Sequence, residues 1–338
     1  MRLVWHSGLA SRVRGRFGGL GSIIMLHRVR PDHIGALGVN RSLSITPAFL
    51  DAVIVGLKTE GVDILPMGEV VERITSGAPH ERRFAAITLD DGYNDNLHHA
   101  YPVFQKHNAP FTVYAAPGLI EGAVVLWWEV LEQLVAQAQA IRLPDGPEWR
   151  CRTMAQKYAT FHALMRYFVR TLPEIEQMPV LRALCAAEGM MCGVAADRDV
   201  MSWKELQQIA DDPLCTIGAH TVHHYNLKRL TAGMVSLEMR QSADMLEEKL
   251  GRRPVHFAYP YGSARAAGQR EAMLAAQEGF LSAVTTRHGT IHAEHGSNLH
   301  ALPRISINGR FQQLIYTRTM MSGATTPIAN AGRRVVQS

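Results

Sequence analysis

Apolar residues along the chain fall into two recurring patterns. Short runs rich in branched and aromatic residues read as strands. They lie at 21–29 (GSIIMLHRV), 61–65 (GVDIL), 84–89 (FAAITL), 111–115 (FTVYA), 214–218 (LCTIG), 255–259 (VHFAY), 280–285 (FLSAVT) and 304–307 (RISI). Between them lie stretches with helical spacing. Thr46 and Pro47 read as the N-cap and first residue of a helix whose Phe49, Val53 and Leu57 share one face. Helices are also predicted over 67–74, from Gly92 through Lys106, over 202–211 with Ser202 and Glu205 as a capping box, over 231–250 before Gly251, and over 266–277. Strand, helix, strand in this order makes βαβ units and favours a parallel sheet.

One segment breaks the rhythm. From 126 to 189 the sequences LWWEVLEQLVAQAQA, MAQKYATFHALMRYFV and PEIEQMPVLRALCAAEG read as helices without strands, and Pro144 to Pro147 as a turn between them. We therefore expect a helical insertion at about 126–200 within one domain spanning 21–321. A basic segment (1–20) precedes this domain and a loose tail (322–338) follows it. Trp127 and Trp128 are expected as core anchors, one of them at the edge of a ligand cleft.

Composition permits a large folded core, with 47% hydrophobic and 19% charged residues among 338. Cys151, Cys185, Cys192 and Cys215 form no CxxC pair. They read as reduced thiols, which points to a cytoplasmic protein, with the inner membrane face as the alternative site of action. Arg2, Arg12, Arg14, Arg16, Arg28 and Arg30 all precede the first acid, Asp32. His6 and Ser7 cut the early apolar run well short of the roughly 7–15 residues of a signal core. No run approaches the roughly 18 residues of a membrane span. Residues 1–20 read first as a solvated tail, with peripheral contact with an anionic membrane surface as the alternative. With no nucleic-acid motif, nucleic acid is not expected as a partner.

The candidate chemistry starts where the strand at 84–89 meets Asp90, Asp91 and Gly92. Neighbouring residues of a strand point to opposite sides, so two adjacent aspartates can take different jobs. Alone, Asp-Asp-Gly is a common surface turn. A second strand runs straight into His220-Thr221-Val222-His223-His224. On one turn of helix, His220 and His224 would share a face, with His223 pointing elsewhere. Two imidazoles and a carboxylate are a common three-ligand set for a catalytic divalent metal. In a parallel barrel the carboxyl ends of the strands face one side, which would bring 90–92, 220–224 and 257–262 together. One aspartate would then bind metal while its neighbour serves as base.

TLDDG, HTVHH and FAYPYG, in that order, resemble the three leading motifs of the polysaccharide deacetylase (NodB-homology) family of carbohydrate esterases. The resemblance covers roughly 21–310. It implies an α/β fold, a distorted (β/α) barrel. It also implies Asp90 as general base, and Asp91, His220 and His224 as ligands of a divalent metal, usually zinc. The backbone N–H of Tyr261 would steady the oxyanion. The implied reaction removes N-acetyl groups from an aminosugar in a poly- or oligosaccharide and releases acetate. Two departures stand out. Ala258 occupies the place of an arginine that many members use to hold the base; Arg304 is the expected replacement, with an ordinary surface arginine as the alternative. The late leucine–histidine motif is also absent. Of His288, His292, His295 and His300, His295 ranks first as proton donor and His300 second. His27 either lines the same pocket or is a core histidine. Two other readings are open: an esterase or amidase acting on a non-sugar acyl group, and a glycan-binding protein without catalysis.

Overall fold

A computed structural model describes residues 9–31, 35–77, 81–143, 146–192 and 199–337. Residues 1–8, with Arg2, lie outside these residues, as do Asp32, Pro144 and Asp145; the rest of the basic start includes a helix, Leu9–Phe17. Seven strands form the frame: β1 (Gly21–Leu26), β2 (Phe84–Asp91), β3 (Phe111–Ala115), β4 (Cys215–Ala219), β5 (His256–Ala258), β6 (Ser282–His288) and β7 (Leu302–Ser306). All their pairings are parallel, in the order β1-β7-β6-β5-β4-β3-β2. Pairing of β1 with β2, from Gly21↔Phe84 to Leu26↔Leu89, closes the ring. The result is a seven-stranded parallel barrel. Asp63–Ile64 adds a short strand beside the start of β2, on the edge that β3 takes over from Thr88 onward.

Strands of such a barrel are buried on both faces, which is why they read as nearly unbroken apolar runs. Ile23, Phe84, Ala86, Tyr114, Ala258, Val284 and Leu302 pack in one cluster inside the ring. Residues of opposite parity, such as Ile24, Ala85, Ile87, Leu89 and Val113, belong to the larger core under the surrounding helices. Met67, Val70 and Ile74 of the helix Met67–Thr75 join the inner cluster with Leu65 and Ile291. They plug the amino-terminal end of the barrel, so only the carboxyl end is open to chemistry.

Helix signals of short range hold. The Thr46 hydroxyl accepts from Phe49 N–H at the start of Pro47–Thr59. Ser202 and Glu205 form the reciprocal box before Trp203–Ala210, and Thr231 and Gly251 bracket Ala232–Leu250.

Three readings need correction. The first strand does not run through His27. It stops at Leu26, and Arg28–Val29 turns aside to pair with Ser44–Ile45. The insertion is not wholly helical. Between the helices Trp127–Gln137 and Met154–Arg170, Ala140–Arg142 and Glu148–Arg150 form an antiparallel hairpin. Three-residue strands carry too little periodicity to be seen, and Pro144 and Asp145 of the expected inter-helix turn lie outside the described residues. Nor is the C-terminal segment loose. Thr326–Ala329 forms a helical turn, Val336 is buried, and the Gln337 carbonyl accepts from Arg287 Nη1. These contacts are long-range, and local composition gave no sign of them.

Candidate active site

β2 ends on the two aspartates, and the chain turns there with Asp91 at φ 74° and Gly92 at φ 72°. One rung beyond β4, the His220 N–H donates to the Ala115 carbonyl at 3.0 Å. The following loop is not helical: Thr221 (φ 61°) and His224 (φ 56°) are both left-handed. These bends, not a helical turn, bring the two imidazoles together. Asp91 Oδ1 lies 3.3 Å from a ring nitrogen of each, Nε2 of His220 and Nε2 of His224. His223 turns away as expected, its Nδ1 2.6 Å from Glu238 Oε1.

Whether this trio suits a metal can be judged from its own hydrogen bonds. His220 Nδ1–H donates to the Ala258 carbonyl at 2.7 Å, which leaves the Nε2 lone pair aimed at Asp91. A carboxylate oxygen, itself an acceptor, thus faces another acceptor, and it has no hydrogen-bond donor of its own. All three ligand atoms lie within 4.8 Å of one another. Two ligands of a tetrahedral ion with bonds of about 2.0–2.1 Å would be about 3.3–3.4 Å apart. The donor set and spacing fit a divalent cation. Burial opposes charge on Asp91, but the two imidazoles, when protonated, outweigh it and hold its carboxyl well below the usual range. Burial likewise favours neutral His220, yet Asp91 and Asp90 raise its pKa. For His224 burial prevails, and its pKa is lowered.

Asp90 points into the barrel, and so does Arg304, two residues along β7 from the inward-facing Leu302. The guanidinium meets the carboxylate through two bonds of 2.7 Å, Nη1 to Oδ1 and Nη2 to Oδ2. It also donates to the Thr88 hydroxyl (3.1 Å) and the Thr285 carbonyl (2.9 Å). Arg304 is 0% exposed, so it is no surface arginine. Burial would raise the Asp90 pKa, but the charge and bonds of Arg304 outweigh it and the net shift is downward.

The polysaccharide deacetylase family profile matches residues 77–143 and 157–277, more than half of the chain. The chain belongs to the polysaccharide deacetylase family. None of the curated proteins matches the sequence. Among solved structures, the chain shares its fold with a Streptococcus pyogenes deacetylase, PplD, in complex with acetate. The TM-score is 0.60 at 19% identity, over 88% of this chain and 97% of that one. IcaB from Ammonifex degensii matches with a TM-score of 0.53 at 16% identity, over 89% and 98% of the two chains. A polysaccharide deacetylase from Bacillus cereus matches with 0.55 at 16% identity, over 88% and 68%.

The late histidines of this deacetylase-family chain do not reach the site. Ile291 pairs with Gly21, which is level with Phe84 at the start of β2. From there to Asp90 is six residues, about 20 Å along a strand. His295, four residues after Ile291, sits at that closed end, fully buried, with Nε2 on the Val336 carbonyl and Nδ1 at the His292 backbone. His292 lies beside it, within reach of the Thr290 hydroxyl. His300 bonds to the Phe280 carbonyl, ahead of β6, and His288 to the Thr325 hydroxyl. The proton-donor assignment to His295, with His300 second, is therefore withdrawn. His27 instead follows Leu26, the partner of Leu89, so it stands abreast of Asp90.

Aromatic side chains wall the site. Tyr261, itself at φ 61°, packs its ring 5.1 Å from that of His224, and its hydroxyl accepts from Trp127 Nε1. Trp128 lies 4.9 Å from His224, and its Nε1 donates to the Tyr93 hydroxyl. The tryptophans are both core anchors and site wall. Sequence reasoning missed the knot behind that wall. Arg28 bonds Asp95 at 2.7 Å and Asp199 at 2.6 Å, approaches Glu129 at 3.4 Å, and lies over the Tyr93 ring. Four residues so far apart in the chain give no local signal.

Proposed function

We propose that this chain removes N-acetyl groups from an aminosugar in an oligo- or polysaccharide. The reading is carried by Asp91 Oδ1 facing two imidazoles at 3.3 Å beside an arginine-clamped Asp90. Asp91, His220 and His224 would hold a divalent metal, with zinc favoured by the nitrogen-rich donor set. When bound, such an ion polarises the acyl carbonyl and lowers the pKa of a water from about 15.7 towards about 7.

The chain's own groups supply the rest. Asp90, ionised and fixed by Arg304, accepts the proton of the attacking water. The Tyr261 backbone N–H donates to the oxygen of the carbonyl under attack. His27 delivers a proton to the departing sugar nitrogen. The C–N bond breaks, and acetate and a free amine leave. The four free thiols favour a glycan intermediate in the cytoplasm as substrate, with residues 1–20 at an anionic membrane face. Recovery of the chain from the extracellular fraction would overturn that placement.

The test is acetate release from N-acetylglucosamine oligomers, free and lipid-linked. After dialysis against a chelator, activity should vanish and return with added zinc. His220→Ala should lose bound metal and rate together. Glycan binding without acetate release, with metal present, would favour a non-catalytic protein. Release only from a non-sugar acyl compound would favour the amidase or esterase reading.

A further inference from the structure

The loop that carries both imidazoles has no regular structure, yet it presents their two nitrogens to one oxygen at the same 3.3 Å. Something must hold it. Thr221 Oγ1 accepts from the His224 N–H at 2.9 Å, which fixes only the loop's local bend. Two longer-range holds meet it: the Gly118 N–H donates to the Val222 carbonyl at 2.9 Å, and helix Ala232–Leu250 supplies a side chain. Along its buried face run Val235, Met239, Ser242 and Leu246, and among them stands an acid, Glu238, only 7% exposed. Its Oε2 accepts the backbone N–H groups of both Val222 and His223 at 3.0 Å. Its Oε1 meets His223 Nδ1 at 2.6 Å. A carboxylate has about four lone-pair positions, and three are spent on two consecutive loop residues, Val222 and His223.

We propose that Glu238 is the positioning residue of the metal site: it clamps residues 222–223 so that His220 and His224 converge on Asp91. The inference rests on the reading of that trio as metal ligands. Glu238 touches neither the ligand atoms nor the region where substrate would lie. A buried charge on a mostly apolar helix face is costly unless its hydrogen bonds are made. Here every bond runs to the loop between the two histidines. Partners that orient metal ligands commonly carry 10–100-fold in metal affinity.

The decisive measurement is zinc affinity of the metal-free chain, by competition with a chromophoric chelator. Wild type is compared with Glu238→Leu, Glu238→Gln and the exposed-face control Glu247→Gln. Glu238→Leu should bind zinc 10–100-fold more weakly. Glu238→Gln keeps an acceptor for the two N–H groups and should stay within about threefold of wild type, as should the control. A folded Glu238→Leu with wild-type affinity overturns the proposal. Amide exchange in the metal-free wild type tests it without any variant. The Val222 and His223 amides should be protected like core amides, and exchange at open-loop rates overturns it. If wild type binds no divalent metal, the functional reading fails, and the exchange rates alone decide whether the clamp exists.

Discussion

Asp90 and Arg304 set the terms at the scale of single residues. With both oxygens clamped, Asp90 is a fixed base that stays ionised through the ordinary assay range. Asp90→Asn should lower the rate about 10²–10⁴-fold while zinc content is unchanged. It also leaves the Arg304 charge buried without its partner, and denaturant unfolding should show a loss of about 3–5 kcal/mol. Arg304→Met removes the main influence that opposes burial, so the Asp90 pKa rises. The acid limb of kcat/KM should move upward, and a pH–rate profile reads it directly. The sign for stability follows the lowered pKa. The pair's contribution is present above the unfolded value and is lost as pH falls through the lower folded one. The four residues at the strand ends were legible because short motifs sit where strands stop. Arg304 was legible by default: Ala258 cannot hold a carboxylate, and Arg304 was the best arginine left. His295 was misplaced because the sequence does not show that 291–301 crosses the closed end of the barrel.

Among the elements, the helix Trp127–Gln137 links the insertion to the site. Glu132, fully buried, accepts the N–H groups of Leu37 (2.8 Å) and Gly38 (2.7 Å), and the Trp128 carbonyl accepts from Asn40 Nδ2 at 2.9 Å. One helix thus pins the loop around 37–40 and holds Trp128 against His224. Glu132→Ala leaves those amides unpaired in the interior. A loss of about 1–3 kcal/mol is expected, measured as a lower denaturant midpoint. Helix ends such as Thr46, Ser202 and Gly251 could be read locally because caps act within one turn. The hairpin could not, since Ile141↔Trp149 is a pairing across a turn and its strands are three residues long. Nor could the turns at Thr221 and His224, where tertiary bonds impose a left-handed backbone on residues that seldom adopt it.

For the whole molecule, the sixteen histidines become a matter of pH. Burial pushes His256 down to about 4, and burial with Arg334 does the same to His292; His288 and His295 are lowered too, chiefly by burial. A histidine with a depressed folded pKa lends stability that is full above the unfolded value near 6.5. That stability is lost as pH falls towards the folded value. The urea midpoint should therefore drop between about pH 6.5 and 4, and His256→Gln should flatten part of that slope. The strands were legible because each apolar run announces burial on both faces, and their closure into a barrel was implied by the resemblance of the three motifs; the packing of the C-terminal segment was not legible, because Val336 finds its place only through distant partners. The turns around the metal trio bear on this balance. Of six non-glycine residues with positive φ among those described, Asp91, Thr221, His224 and Tyr261 frame the site. Each such backbone costs on the order of 1–3 kcal/mol. An engineer seeking heat tolerance would find the largest reserve here and could not draw on it, because relaxing any of these turns dismantles the catalyst. Robustness has to be added at the opposite pole, around the helix Met67–Thr75 and Val336, where the chain can be tightened without touching the chemistry.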